Sequence, residues 1–452
     1  MGLFGSSGVR GVVNVELTPG EILRLAAVAT AEWDADRVAI AHDTRIPSEA
    51  CANAASSGVA SAGADVDRIG VIPTPGLQRY LARENIPGLM VTASHNPPRY
   101  AGMKLFDATG IELGGERLAR IEQAYEAKRS PWAAWDAVGN ERQIDTAVDH
   151  YLETLHGLLA DRDLKSGEGT VAIDPGHGAA CRTTGRFFRE IGCRVVSVND
   201  TMDGRFPGRQ PEPIPAVLDD LAHLTRASDA IMGIAHDGDG DRAVFVDETG
   251  TVVSGDSILA ILAEELVSPG DVVVSAVNAS NRLADAVESN GGELIRTPIG
   301  SVNIVEKTAS LLDAGETVPV AGEGNGGLFL PMDGLFRDAL LVAGMMLSLA
   351  HDTPLGERAE TYTEYQLVRE ELPYENTAEK DGVMERIEAA AVDADAIERT
   401  DGIRVEYDDG WTLVRPSGTE PVIRFVSEAT SERVAIDRLE ELLSIARAAT
   451  ES

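Results

Sequence analysis

Lysine is nearly absent from this 452-residue chain: only Lys104, Lys128, Lys165, Lys307 and Lys380 occur, while arginine is plentiful. Cysteine is scarce as well. The three present (Cys51, Cys181 and Cys193) are odd in number and lack metal-ligand spacing, which points to a reduced cytoplasm. No apolar run is long enough to span a bilayer, so no membrane association is expected. The stretch Met1-Gly2-Leu3-Phe4-Gly5-Ser6 has neither the basic region nor the apolar core of a signal peptide. Low-complexity segments are also missing. Positive charge is the largest deficit: the formal net charge is −35, which argues against a nucleic-acid partner.

The acidic residues are dispersed rather than gathered in a tail, so a disordered acidic arm is not expected. An acidic, lysine-poor, folded chain resembles the proteins of salt-accumulating organisms. In concentrated salt the Debye length falls to about 3 Å, and self-repulsion on this scale becomes tolerable. Hydrophobic residues make up 43%, a globular composition. At roughly 100–200 residues per domain, this length implies three or four domains.

Apolar segments alternate with helix-like ones almost throughout. Arg37–Ala41 reads as a strand followed by a helix from Ser48. Asp67–Ile72 reads as a strand ended by Pro73-Thr74-Pro75. Thr170–Asp174 is a strand entering Pro175-Gly176-His177-Gly178, then a helix through Glu190, then a strand at Arg194–Val198. This is the βαβ pattern of α/β domains, and Asp271–Ser275 and Gly292–Arg296 continue it. The last part differs: Val405–Tyr407 and Trp411–Arg415 read as antiparallel strands around Asp408-Asp409-Gly410, with a helix from Ser431 closing the chain. Breaks are expected near 145, 250 and 358, giving segments 1–145, 146–250, 251–358 and 359–452.

Four loops carry chemistry. The first is Val91-Thr92-Ala93-Ser94-His95-Asn96-Pro97-Pro98. A strand running into a Pro-stiffened loop would present Ser94 as a nucleophile; the alternative is a Ser/Asn-capped turn. His95 beside it suits either a general base or a structural loop histidine. The second is His236-Asp237-Gly238-Asp239-Gly240-Asp241-Arg242, where three carboxylates at alternate positions can converge on one hard cation. Ala230–Ile234 before it reads as a strand, so the loop lies at a strand's carboxyl end, where α/β domains bind ligands. An EF-hand would need glycine where Arg242 stands and a preceding helix. The third, Gly322-Glu323-Gly324-Asn325-Gly326-Gly327, is expected to follow a strand Val318-Pro319-Val320; Glu323 and Asn325 suit sugar hydroxyls. The fourth, Arg415-Pro416-Ser417-Gly418-Thr419-Glu420-Pro421 with Arg424 soon after, has the makings of a phosphate cradle.

Together, in this order and spacing, the loops resemble the α-D-phosphohexomutase superfamily, which interconverts hexose 1- and 6-phosphates. Leu3-Phe4-Gly5-Ser6-Ser7-Gly8-Val9-Arg10-Gly11 resembles its N-terminal signature. The resemblance implies an α/β, four-domain architecture: three related α/β domains plus a smaller C-terminal α+β domain around a central cleft. It implies that Ser94 carries the phosphoryl group and that Asp237, Asp239 and Asp241 hold Mg²⁺, with a phosphate oxygen on Ser94 as a further ligand. Arg10, Lys104 and Arg242 match positions near the reacting phosphate, and Glu323 and Asn325 match sugar-contacting ones. Arg415, Ser417, Gly418 and Thr419 match the site for the non-reacting phosphate. A hexose or hexosamine 1,6-bisphosphate would act as activator, sugar phosphates would be the partners, and the chain would be a cytoplasmic monomer or homodimer.

The third loop resembles the archaeal phosphoglucosamine mutase type, with Asn325 where several glucose/mannose enzymes carry Ser and Gly327 where they often carry His. Thr297-Pro298-Ile299-Gly300-Ser301 departs from the glucosamine pattern, which has Asp after the Gly. On the strength of the third loop, and against that departure, glucosamine phosphate is the favoured substrate, with glucose or mannose phosphates as alternatives. A metal-dependent phosphatase or a non-catalytic sugar-phosphate-binding protein are the remaining readings.

Overall fold

The structure is a computed structural model that describes residues 3–5, 7–128, 131–160, 168–332, 334–362, 365–390, 396–417 and 421–450. It divides into two compact units, residues 1–255 with 325–357, and residues 256–324 with 358–452.

The first unit holds two sheets. One contains β1 (Val9–Val12), β2 (Arg37–His42), β3 (Asp65–Val71), β4 (Gly88–Val91), β5 (Tyr100–Phe106) and β6 (Glu141–Gln143), in the order β1-β5-β4-β2-β3-β6. Strands β2, β3, β4 and β6 run parallel, while β5 is antiparallel to both β4 and β1. Every residue of β4 is buried, as a strand covered on both faces must be. The helix Pro19–Trp33 begins where sequence chemistry places it. Thr18 caps it and Glu21 returns the bond to the Thr18 N–H, with Pro19 at the first helical position. Its face of Ile22, Leu25, Ala26 and Ala29 packs into a core with Val38, Ile40, Leu89, Val91 and Met103.

The second sheet contains β7 (Thr170–Asp174), β8 (Arg194–Ser197), β9 (Met232–His236), β10 (Ala243–Val246) and β11 (Val252–Val253), in the order β11-β10-β9-β7-β8. β7 runs parallel to β8 and β9, and β9 and β10 form an antiparallel hairpin with His236 opposite Ala243. The strand expected at Ala230–Ile234 therefore starts two residues later and runs directly into the acidic loop. That loop is the hairpin's own turn.

In the second unit, β12 (Val272–Ala276) is flanked in parallel by β13 (Glu293–Thr297) and β14 (Ala321–Glu323). The expected strand Val318–Val320 does not form. Pro319 has no N–H to give a ladder, and pairing starts at Ala321, so the third loop itself supplies the strand. The chain then returns to the first unit with β15 (Gly327–Phe329) and the helix Ala339–Asp352, whose Met345, Met346 and Leu347 are core. Finally β16 (Gln366–Pro373), β17 (Ala396–Glu398), β18 (Ile403–Tyr407), β19 (Gly410–Pro416) and β20 (Val422–Ala429) form an antiparallel sheet ordered β16-β20-β19-β18-β17, with the helix Glu432–Thr450 packed on it. No helix among the described residues is long and apolar enough to cross a membrane.

Candidate active site

Ser94 sits just beyond the carboxyl end of β4, with φ at +47°. A non-glycine residue in the left-handed region is strained and is held there by its surroundings. Here the restraints are identifiable. The Thr92 hydroxyl accepts the Ser94 N–H at 2.8 Å. The Arg45 guanidinium, fully buried and paired with Asp43 at 3.0 Å, donates to the carbonyls of Ser94 (2.7 Å), Asn96 (2.6 Å) and Pro97 (2.7 Å). One side chain thus collects three carbonyls of the serine loop. Gly238 packs against the same loop: a Cβ there would stand 2.6 Å from the Ser94 carbonyl oxygen.

The acidic turn faces this serine. One carboxylate oxygen from each of Asp237, Asp239 and Asp241 can be chosen so that all lie within 4.8 Å of one another, and all three residues are buried. The Oδ2 atom of each is occupied. Asp237 Oδ2 accepts from Ser94 Oγ at 2.7 Å. Asp239 Oδ2 accepts from Thr74 Oγ1 at 2.7 Å and from Lys104 Nζ at 2.6 Å. Asp241 Oδ2 accepts from Lys104 at 2.8 Å and lies 2.7 Å from Arg337 Nη2. Asp239 Oδ1 and Asp241 Oδ1 are buried with no hydrogen-bond partner among the described residues. Two orphaned anionic oxygens beside a third carboxylate form a donor set that suits a hard divalent cation.

Strand pairing delivers the cations. Lys104 lies on β5 opposite Met90 of β4, and Arg10 lies on β1 opposite Gly102 of β5. Burial alone would lower the Lys104 pKa, but Asp239 and Asp241 outweigh it and the net shift is upward, so the ammonium stays charged. Arg10 is lowered, chiefly by burial, and donates to Asn96 Oδ1 at 3.0 Å. The Arg242 N–H donates to Asp237 Oδ1 at 3.3 Å, and the Arg242 Nε is buried without a hydrogen-bond partner among the described residues.

The carboxyls split in their titration. Burial pushes Asp237 upward, and the neighbouring Asp239 and Asp241 charges add to that. For Asp239 burial acts in the same direction, but Lys104 overrides it and the net shift is down. Asp241 is also lowered against its burial, with Arg337 the largest opposing influence. His95 Nδ1 is 3.4 Å from Ser94 Oγ. Burial first, then Arg242 and Arg10, lower its pKa to about 3, which makes it a poor proton acceptor at neutral pH.

The other candidate residues fall as follows. Asn325 is in the first unit, and its Oδ1 accepts the Gly327 N–H at 2.9 Å. The neighbouring Gly326 carbonyl accepts the Ala243 N–H at 3.1 Å, which ties this loop to the hairpin bearing the acidic turn. Glu323, Arg415, Ser417 and Arg424 are in the second unit. Glu323 Oε1 accepts the Gly300 N–H at 3.2 Å. Arg415 and Arg424 are directly opposite on β19 and β20. Arg415 Nε is 3.1 Å from Asp401, whereas Arg424 donates to Glu371. The Ser417 N–H donates to the Val422 carbonyl at 2.8 Å. Gly418 and Thr419 lie outside the described residues. Sequence reasoning missed Asp43, Arg45, Thr74 and Arg337. The acid-x-Arg spacing of Asp43 and Arg45 after a strand is a faint signal; the other two carry none.

Such a serine-and-triad site on this fold defines a class that comparison with known proteins identifies. Profiles of the phosphoglucomutase/phosphomannomutase family match in sequence: α/β/α domain I at residues 1–132, domain II at 149–250, domain III at 254–365 and the C-terminal domain at 374–444. The chain is 39% identical to the "Probable phosphoglucosamine mutase" of Methanopyrus kandleri, over 99% of this chain and 98% of that one. It is 34% identical to the phosphoglucomutase/phosphomannomutase of Thermococcus kodakarensis, over 97% of both. A crystal structure of a phosphoglucomutase/phosphomannomutase family protein from Burkholderia thailandensis superposes with a TM-score of 0.86 at 28% identity, over 99% of this chain and 97% of that one. The chain belongs to the phosphohexomutase superfamily, with the three α/β/α domains and C-terminal domain of that family, and it is a mutase.

Proposed function

We propose that this mutase interconverts glucosamine 6-phosphate and glucosamine 1-phosphate through a phosphorylated Ser94 and a bound 1,6-bisphosphate. The observation that carries the reading is the Ser94 Oγ held 2.7 Å from Asp237 Oδ2, beside two carboxylate oxygens with no protein partner. In the forward half-reaction, the sugar's free hydroxyl oxygen bonds to the phosphorus on Ser94 as the P–Oγ bond breaks. The sugar hydroxyl proton passes to the departing Ser94 Oγ, directly or through solvent, so that serine leaves as the neutral hydroxyl, and Lys104, Arg10 and Arg242 offset the charge that builds during the transfer. The bisphosphate then turns over and its other phosphate returns to Ser94, which conserves phosphate.

Phosphoryl transfer depends on positioning and charge neutralisation. Asp237, Asp239 and Asp241 would hold Mg²⁺, which supplies Lewis acidity toward the phosphoryl oxygens. Lys104, Arg10 and Arg242 surround the same loop with positive charge, and the unpartnered Arg242 Nε suits an anionic oxygen. Lys104 is already bonded to two carboxylates, so charge stabilisation suits it better than proton abstraction. The low basicity of His95 favours a structural part for it. Glu323 and Asn325 would contact the sugar. Arg415, Ser417, Gly418 and Thr419, with Arg424 nearby, would grip the non-reacting phosphate, and the bisphosphate would serve as activator.

Glucosamine is favoured because the amide of Asn325 can meet a 2-amino group and because the archaeal relative at 39% identity carries that name. The relative at 34% identity keeps a glucose/mannose mutase in contention. The deciding experiment follows glucosamine, mannose and glucose 6-phosphates to their 1-phosphates in concentrated KCl, with Mg²⁺ and a bisphosphate activator. Preferred turnover of glucosamine 6-phosphate is expected. Comparable turnover of the hexose phosphates would make the enzyme a broad mutase, and stoichiometric release of inorganic phosphate would make it a phosphatase.

A further inference from the structure

Asp241 is held by two cations on one oxygen. Lys104 Nζ and Arg337 Nη2 both engage Oδ2, at 2.8 Å and 2.7 Å, while Oδ1 is left buried and without a partner. Lys104 is a point charge that fixes a distance. The planar guanidinium of Arg337 also fixes direction. Arg337 precedes the helix Ala339–Asp352 and is nearly buried, at 9% side-chain exposure. It is anchored by Glu112, 3.5 Å away, and Glu112 Oε1 in turn accepts from Ser7 Oγ at 2.5 Å. Gly327 leaves room for this arrangement, because a Cβ at 327 would lie 3.2 Å from Arg337 Cδ. A larger side chain at 327 would press on the arginine.

We infer that Arg337, braced by Glu112, is a positioning residue that sets the rotation of the Asp241 carboxylate so that Oδ1 faces the cation, and that this clamp gives the site its preference for a small divalent ion over a large one. The inference rests on the reading that the three aspartates hold such an ion. The physical basis is geometric. Mg²⁺ demands near-ideal octahedral ligands at about 2.0–2.1 Å, whereas Ca²⁺ accepts 2.3–2.6 Å and looser angles. A carboxylate free to rotate penalises the small ion more. Partners that orient metal ligands are typically worth about 10–100-fold in affinity.

Charge alone cannot produce the same result, because Mg²⁺ and Ca²⁺ carry equal charge. A neutral residue at 337 makes the site more negative and favours both ions alike. A neutral residue at 112 makes it less negative and disfavours both alike. A loss of orientation changes the ratio of the two affinities, and it changes it in the same direction for both variants.

The test is calorimetric titration of the intact wild-type protein, Arg337→Met and Glu112→Gln with Mg²⁺ and with Ca²⁺, in concentrated KCl without substrate. The expected result is a fall of about tenfold in the Mg²⁺/Ca²⁺ affinity ratio for Arg337→Met, and a smaller fall for Glu112→Gln despite its opposite charge change. An unchanged ratio in either folded variant overturns the clamp, whatever happens to the absolute affinities. Binding of neither ion by wild type would instead overturn the reading of the aspartate site, and the clamp with it.

Discussion

At the scale of single residues, the serine loop and its supports can be separated experimentally. Ser94→Ala should abolish mutase activity while leaving the fold intact, and mass spectrometry of protein incubated with bisphosphate should find the added phosphoryl group only in wild type. Near wild-type turnover by the alanine variant would sink the phosphoserine mechanism. Arg45→Met should behave differently. It removes the cation paired with Asp43, a buried carboxylate left with neutral partners, the Ser48 and Thr92 hydroxyls among them, and frees three loop carbonyls. Removing one partner of such a pair costs about 3–5 kcal/mol, so denaturant titration should show that loss together with lost phosphorylation. Ser94 was legible in the sequence because its loop is local and its chemistry is written in adjacent letters. Arg45 was not, because its meaning depends on a loop 49 residues away.

His236 gives a pH prediction at the same scale. Its Nδ1 faces the Arg242 carbonyl at 3.1 Å and so carries the hydrogen, leaving Nε2 to accept from Thr184 Oγ1 at 3.0 Å. Burial, reinforced by Arg209, lowers its pKa from the ordinary 6.5 to about 4, although the Arg242 hydrogen bond opposes the shift. Between those values the unfolded chain binds a proton that the folded chain does not. Stability is therefore fully present above pH 6.5 and declines as pH falls toward about 4, by up to about 1.4 kcal/mol per pH unit. Melting temperatures across this range should fall with acid, and His236→Gln should flatten the slope; an unchanged slope would remove His236 as its source.

At the scale of elements, two strand ends make the candidate site. β4 delivers Ser94, and the β9–β10 hairpin closes on His236 and Ala243 so that its turn presents the three aspartates. The turn depends on Gly238, where a side chain would meet the Ser94 carbonyl. Gly238→Ala should push the two loops apart, and a displacement near 1 Å at reacting groups costs on the order of 100-fold in rate. Steady-state kinetics should show that loss with little change in melting temperature; retention of full kcat would mean the loops tolerate separation. Most parallel strands of the α/β part were readable from apolar runs bounded by turn residues, whereas β1, β5, β10, β16 and β20 were not expected from the sequence. One expected strand, Val318–Val320, looked apolar enough, but its proline has no hydrogen to donate.

At the scale of the whole molecule, net charge dominates. We propose that the −35 formal charge is an adaptation to concentrated salt. Raising KCl from dilute buffer into the molar range shortens the Debye length to about 3 Å and removes most of the self-repulsion. Melting temperature and activity should both rise steeply over that range, and full stability in dilute buffer would exclude the adaptation. Lys104 is instructive here. In a chain with so few lysines, this one is spent entirely inside the site, 1% exposed between two carboxylates.

The sequence by itself determined the α/β alternation, the loops that carry the serine and the aspartates, and the family to which they belong. Each of these is set by residues close together in the chain, where periodicity, proline and glycine act directly on local backbone. Only the tertiary structure decided which oxygens of the aspartates are occupied and which are open, and that Arg45 and Arg337 hold the serine and Asp241. Those outcomes depend on side chains brought together from distant strands and helices. Their hydrogen bonds are settled by packing, and no local pattern in the chain encodes them.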